Sequence, residues 1–146
     1  MDKKNYNQVK LKLSRWCSRQ DQCVSKARQK AKLDGLNDSE IDQLIDELLD
    51  LDFLNEARFA EAFVRGKMNQ KLWGEVKVQH HLRQLRVDGQ IIQNAINEYI
   101  AKGKTENNLR ELIAKKKRLD NPAKPSLVRF LQGKGYRLDD ILKALD

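Results

Sequence analysis

Cysteine, proline, histidine and aromatic residues are all scarce in this chain. The two cysteines, Cys17 and Cys23, lie six positions apart and would not share a face of a helix. A disulfide or a metal pair is therefore not expected, and free thiols suit a reducing compartment, the cytoplasm. Only two prolines occur, Pro122 and Pro125, so helices can run almost unbroken. The two histidines, His80 and His81, are adjacent. On a helix they would point about 100° apart and could not chelate one metal ion as an i, i+4 pair does. No Walker-type glycine run, no Gly-x-Gly-x-x-Gly and no Gly-x-Ser-x-Gly is present, so neither an enzyme nor a cofactor is expected. No apolar run approaches the length of a membrane span. Met1-Asp2-Lys3-Lys4-Asn5 leads into no apolar stretch, so no signal peptide is expected either.

Charge and short apolar stripes are what the chain does contain. Of its 146 residues, 34% are charged and 40% hydrophobic, and the net charge is +8. Residues 1–50 carry ten basic and nine acidic side chains, residues 51–102 eight and six, and residues 103–146 eleven and six. The positive excess thus lies mostly in the last third, as for a polyanionic partner or an acidic protein surface. Apolar residues recur at helical spacing throughout: Tyr6, Val9, Leu13, Trp16; Ile41, Leu44, Ile45, Leu48; Val78, Leu82, Leu85; Ile92, Ala95, Ile96, Tyr99; Leu138, Ile141, Leu142, Leu145. No segment alternates as a strand would. The pattern predicts an all-α protein.

Turn chemistry separates the stripes and reveals a repeat. Gly35 precedes Asn37, Asp38 and Ser39, which offer an N-cap oxygen before Ile41, while Gly133 and Gly135 precede Tyr136. Aligning Leu36, Val87 and Tyr136 gives offsets of 51 and 49 residues. Ile41, Ile92 and Ile141 then coincide, as do Ala27, Val78 and Leu127, and Ala31, Leu82 and Leu131. Three tandem three-helix repeats follow, over residues 1–53, 54–102 and 103–146. One such unit buries its apolar face poorly alone, so the units should stack into an elongated, curved array that presents charged side chains rather than a deep pocket.

Basic residues form the candidate binding surfaces. Arg58 and Arg65 are seven apart, on the side of their helix away from Phe59 and Phe63, which predicts a shared exposed stripe. Lys67 and Lys71 extend that positive character toward Trp73, and Arg83 and Arg86 form a further polar stripe. Lys115-Lys116-Lys117-Arg118 closes a helix; the helix dipole accounts for one or two of these cations but not for the run. Each cluster suits phosphate or an acidic partner surface, and each is also what a merely solvated face looks like.

The segment Asn55-Glu56-Ala57-Arg58-Phe59-Ala60-Glu61-Ala62-Phe63-Val64-Arg65 resembles the central signature of the RecX family: Arg-Phe-Ala, two variable positions, then Phe-Val-Arg. Trp73-Gly74 through Leu82-Arg83-Gln84, the linker Leu49–Leu54, and Leu127–Leu131 into Lys134-Gly135-Tyr136 also resemble that family, so the likeness spans about Leu13 to Leu145. Departures are Asn55 in place of an acid, Ala57 in place of a polar residue, and Leu85-Arg86 in place of Lys-Gly. The last removes a helix-terminating glycine and predicts a turn that closes differently. The resemblance implies a monomeric, cytoplasmic regulator that lies in the groove of the RecA recombinase filament on single-stranded DNA. It would suppress ATP hydrolysis, strand exchange and co-protease activity, and so restrain recombination, DNA repair and the SOS response. Binding would run through one basic face of Arg58, Arg65, Lys67, Lys71, Arg83 and Arg86 and a second of Lys115, Lys116, Lys117 and Arg118. Two other readings stay open on the residues alone: a stand-alone nucleic-acid-binding protein, and an adaptor between two proteins.

Overall fold

The computed structural model describes residues 2–146. Among them lie nine α-helices and no strand: α1 (Lys3–Arg19), α2 (Val24–Leu33), α3 (Asp38–Asp50), α4 (Glu56–Arg65), α5 (Glu75–Gln84), α6 (Gly89–Ala101), α7 (Thr105–Asp120), α8 (Lys124–Gly133) and α9 (Leu138–Leu145). A π-helical turn, Gly66–Gln70, continues α4. Side-chain caps start several of these helices. Asn37 and Glu40 form a reciprocal capping box on α3 (2.9 and 3.0 Å), while Asn55 caps α4 through the Arg58 amide (2.9 Å). Pro125 sits in the first turn of α8, where its missing N–H costs no helical bond.

The repeat is visible in single hydrogen bonds. The second helix of each triplet ends with Leu36 N–H donating to Ala31 O, Val87 N–H to Leu82 O, and Tyr136 N–H to Leu131 O, at 3.2, 3.1 and 3.2 Å. The third helix begins with Ile41, Ile92 and Ile141 N–H donating to the carbonyls of Asn37, Asp88 and Arg137. Between these two points the chain passes through a left-handed residue each time: Gly35 (φ +95°), Arg86 (φ +61°) and Gly135 (φ +100°). The middle turn therefore closes as the other two do. Arg86 takes the left-handed conformation without being glycine, so the expected difference in closure is absent.

Apolar burial follows the same register. Leu36, Ile41, Leu44, Ile45 and Leu48 of the first triplet gather with Tyr6, Val9 and Leu13. Val78, Leu82, Val87, Ile92 and Ile96 gather with Phe59, Val64 and Met68, and Leu127, Leu131, Tyr136 and Ile141 with Leu109, Leu112 and Ile113. Three small cores replace one large one, as in repeat arrays where each unit contacts its neighbours.

The two joints differ. At the first, Cys23 is buried in the second core and Ser25 Oγ donates to Leu85 O (2.7 Å). Nearby, burial pushes the Glu56 carboxyl up, offset in part by the Val24 backbone N–H. At the second joint, backbones touch. Gly74 N–H donates to Lys134 O (2.7 Å) and Val76 N–H to Gly135 O (3.0 Å). A Cβ on Gly74 would stand 2.4 Å from the Gly135 carbonyl, and one on Gly135 2.4 Å from the Lys77 Cβ. Both glycines are needed for this approach. Tyr136 Oη donates to Leu72 O (2.8 Å) and Arg137 Nε to Glu75 Oε1 (2.5 Å). A buried amide, Asn108, closes the joint: its Nδ2 donates to Met68 O (3.0 Å) and to Tyr99 Oη (2.7 Å).

Candidate nucleic-acid interface

The helix carrying the Arg-Phe-Ala and Phe-Val-Arg residues sets three directions. Phe59, Ala60 and Val64 of α4 face the second core, Arg58 turns to the first joint, and Phe63 lies at the core's edge, partly exposed. Arg58 does not join an open stripe with Arg65. Its Nε donates to Asp21 Oδ1 (2.5 Å), one terminal nitrogen to Asp52 Oδ2 (3.0 Å), and the other to the carbonyls of Asp52 (3.0 Å) and Phe53 (3.5 Å). These partners, Asp21 first, hold the guanidinium above its ordinary pKa. A planar five-donor fork suits such a clamp, and Asp52, at φ +61°, presents both side chain and carbonyl to it. Arg65 is exposed and borders a shallow recess with Glu61, Glu98 and Lys102, where acids offset its charge.

Lys67 and Lys71 lie elsewhere, on the opposite flank of α4 and its π turn. The side chain of Lys67 reaches between two rings, its Nζ 5.5 Å from the Phe63 centroid and 5.0 Å from that of Trp73. Lys77, which the sequence pattern did not single out, sits over Trp73 at 4.3 Å. His81, one turn after Lys77, packs its ring 4.7 Å from Trp73. Burial first, then the nearby His80, Lys77 and Lys67 charges, lower its pKa below the ordinary histidine value. Beside this strip a groove of about 360 Å³ runs between the α1–α2 turn and α4, bordered by Gln22, Lys26, Phe63, Lys67, Gln70 and Lys71. Asp21 also borders it, and its carboxylate is paired with Arg58.

Of the remaining expected residues, Arg83 is exposed in the last turn of α5 and Arg86 in the turn that follows it. Lys115, Lys117 and Arg118 are exposed along α7. Lys116 is half-buried, pairs with Asp120, and lies over the Phe130 ring at 4.6 Å, with Lys134 on the same ring at 5.8 Å. The structure thus brings Lys67 and Lys71 together and leaves Arg58, Arg65, the Arg83–Arg86 pair and the α7 run as separate features. Lys26 and Lys77 join the first group because the fold, not the sequence order, sets them beside Phe63 and Trp73. For Lys77 the available signal was its place four positions after Trp73; for Lys26, 37 positions before Phe63, there was none.

Among the described residues no group of three or more His, Cys, Asp or Glu side chains is placed to hold a metal ion, and no helix is long and apolar enough to cross a membrane. Both cysteines are free. Fold and surface together define an all-helical repeat protein with basic–aromatic faces. A sequence profile for the second three-helix domain of RecX matches residues 55–96. The chain is 31% identical over 134 residues to the regulatory protein RecX of Vibrio parahaemolyticus, covering 88% of this chain and 83% of that one. It is 26% identical over 117 residues to that of Caldanaerobacter subterraneus, of which it spans 58%. The crystal structure of RecX from Lactobacillus salivarius superposes with a TM-score of 0.83 at 21% identity, over 97% of this chain and 95% of that one. A second crystal structure of regulatory protein RecX gives 0.81 at 18% identity, over 95% and 72%. This chain belongs to the RecX family of regulatory proteins.

Proposed function

We propose that this chain binds the RecA recombinase filament on single-stranded DNA in the cytoplasm. There it restrains ATP hydrolysis, strand exchange and co-protease activity by steric and allosteric means, without catalysis of its own. The observation that supports this most is the strip formed by Lys67, Lys71, Lys77, Phe63 and Trp73, set on an array of three helical triplets. An array of linked small cores lies along a repetitive partner more readily than it encloses a small substrate. Its net charge of +8 complements a nucleoprotein polyanion. Arg65, Arg83, Arg86 and the Lys115–Arg118 run supply further cations that follow acidic recombinase surface or phosphate.

The test is a titration into the cognate RecA filament assembled on single-stranded DNA, with ATP turnover as the readout. Turnover should fall saturably, and half-inhibition should move to higher protein concentration as salt is raised, because cations on the protein displace counterions from phosphate. Unchanged ATP turnover would defeat the proposal.

A further inference from the structure

We infer that the groove between the α1–α2 turn and α4, together with the adjoining Trp73 strip, is a base-stacking site for unpaired DNA, with Phe63 and Trp73 as its two platforms. This rests on the filament reading above, since it names how the chain touches the strand within that filament. Three observations carry it. Both rings are partly exposed, although both also pack against the second core; Phe63 borders the groove, and Trp73 adjoins it across Lys67. Lysines surround them: Lys67 lies between the two rings, Lys77 over Trp73, and Lys26 and Lys71 along the groove wall. The acidic group on that wall, Asp21, is held by Arg58, so the groove keeps the charge of its lysines.

This combination fits a polynucleotide better than an acidic protein. An acidic surface needs cations and has no use for two flat rings, whereas every base offers a π-face to an aromatic side chain. The amides of Gln22 and Gln70 can donate to or accept from any base edge, which gives sequence-tolerant contact. A base stacked on a ring outweighs an exposed ammonium resting over it. The incoming base therefore displaces Lys67 or Lys77 from the ring face, and the displaced ammonium meets the flanking phosphate. A duplex, whose bases are already stacked, cannot use the platforms. Arg58 acts here as a positioning residue that neutralises Asp21 and ties the groove's two walls together.

Trp73 reports on the site directly. A Trp16→Phe chain leaves Trp73 as the sole tryptophan, and Trp16 packs against the first core and does not border the groove. Titrating this chain with oligo(dT) of 15 nucleotides should quench Trp73 emission saturably, and a duplex of equal length should quench it far less. Phe63→Leu in that chain, and Trp73→Leu read by anisotropy of labelled oligo(dT), should each weaken binding about tenfold while leaving far-ultraviolet circular dichroism unchanged. The site is overturned if Trp73 emission stays constant while oligo(dT) binds, if the leucine variants bind as tightly as the parent, or if long-chain polyphosphate quenches Trp73 as oligo(dT) does. A chain that slows filament ATP turnover but shows no Trp73 quenching sinks this groove and keeps the filament reading. A chain quenched by oligo(dT) but without effect on ATP turnover does the reverse.

Discussion

Arg58 and Arg65 look alike in the sequence and differ in what surrounds them. Arg58 joins Asp21 from the turn after α1 to Asp52 and Phe53 before α4, across the first joint. Arg65 stands exposed at the end of α4. Thermal unfolding followed by circular dichroism should show Arg58→Ala lowering Tm and Arg65→Ala leaving it almost unchanged. Asp21→Asn should lower Tm as well, and the double variant Arg58→Ala/Asp21→Asn should fall short of the sum, since both remove one interaction. His81 makes a second prediction at this scale. Its folded pKa is lowered, chiefly by burial and then by His80, Lys77 and Lys67. The unfolded chain therefore binds a proton more readily at this position, and the stability linked to it is complete above the ordinary histidine range and lost as pH falls through the folded pKa. His81→Gln should flatten that part of the decline of Tm with acidification below pH 6.5, seen in parallel melts of variant and parent. The sequence could show that His80 and His81 point apart. It could not show that Trp73, eight positions before His81, would pack its ring at a tilt against one of them.

The turn that ends each second helix was legible because it depends on local residues. Gly35 and Gly135 mark the left-handed position, and the register built on Leu36, Val87 and Tyr136 recurs in the hydrogen bonds themselves. Arg86 was not legible in this way, since a missing glycine suggested a different closure. Tertiary packing of Val87 and Leu82 in the second core holds the same turn shape and imposes the left-handed conformation on arginine. Such a conformation costs a non-glycine residue about 1 kcal/mol or more. Arg86→Gly should therefore raise stability by about 1 kcal/mol in denaturant unfolding, through relief of that strain. At the second joint the opposite change is harmful. Gly74→Ala places a methyl group 2.4 Å from the Gly135 backbone. Its cost should be on the order of 1–3 kcal/mol or more, because backbone rather than a flexible side chain must move. Nothing in the sequence separates Gly74, which is buried against a neighbouring triplet, from Gly89, whose Cβ would meet open space. That difference belongs to the contact between units.

For the molecule as a whole, periodicity gave the three-triplet plan, whereas the grouping of basic residues had to wait for the fold. Helical spacing places Lys67 and Lys71 together because they are one turn apart, but Lys26 comes from the first triplet and Lys77 from another helix. The Lys115–Arg118 run is conspicuous in sequence, and the structure leaves three of its members exposed and ties Lys116 to Asp120 and Phe130. Two basic regions on different triplets suit a partner that repeats along its length. The central claim is that this face engages a recombinase filament. Its most direct test is anisotropy of the labelled chain titrated with RecA filament preassembled on single-stranded DNA, comparing the parent with Lys67→Glu/Lys71→Glu. The account predicts saturable binding that weakens with salt and about tenfold or more weaker binding by the variant, as expected when two phosphate-directed cations are reversed. Binding that is absent in the parent, or equally tight in parent and variant, would contradict it.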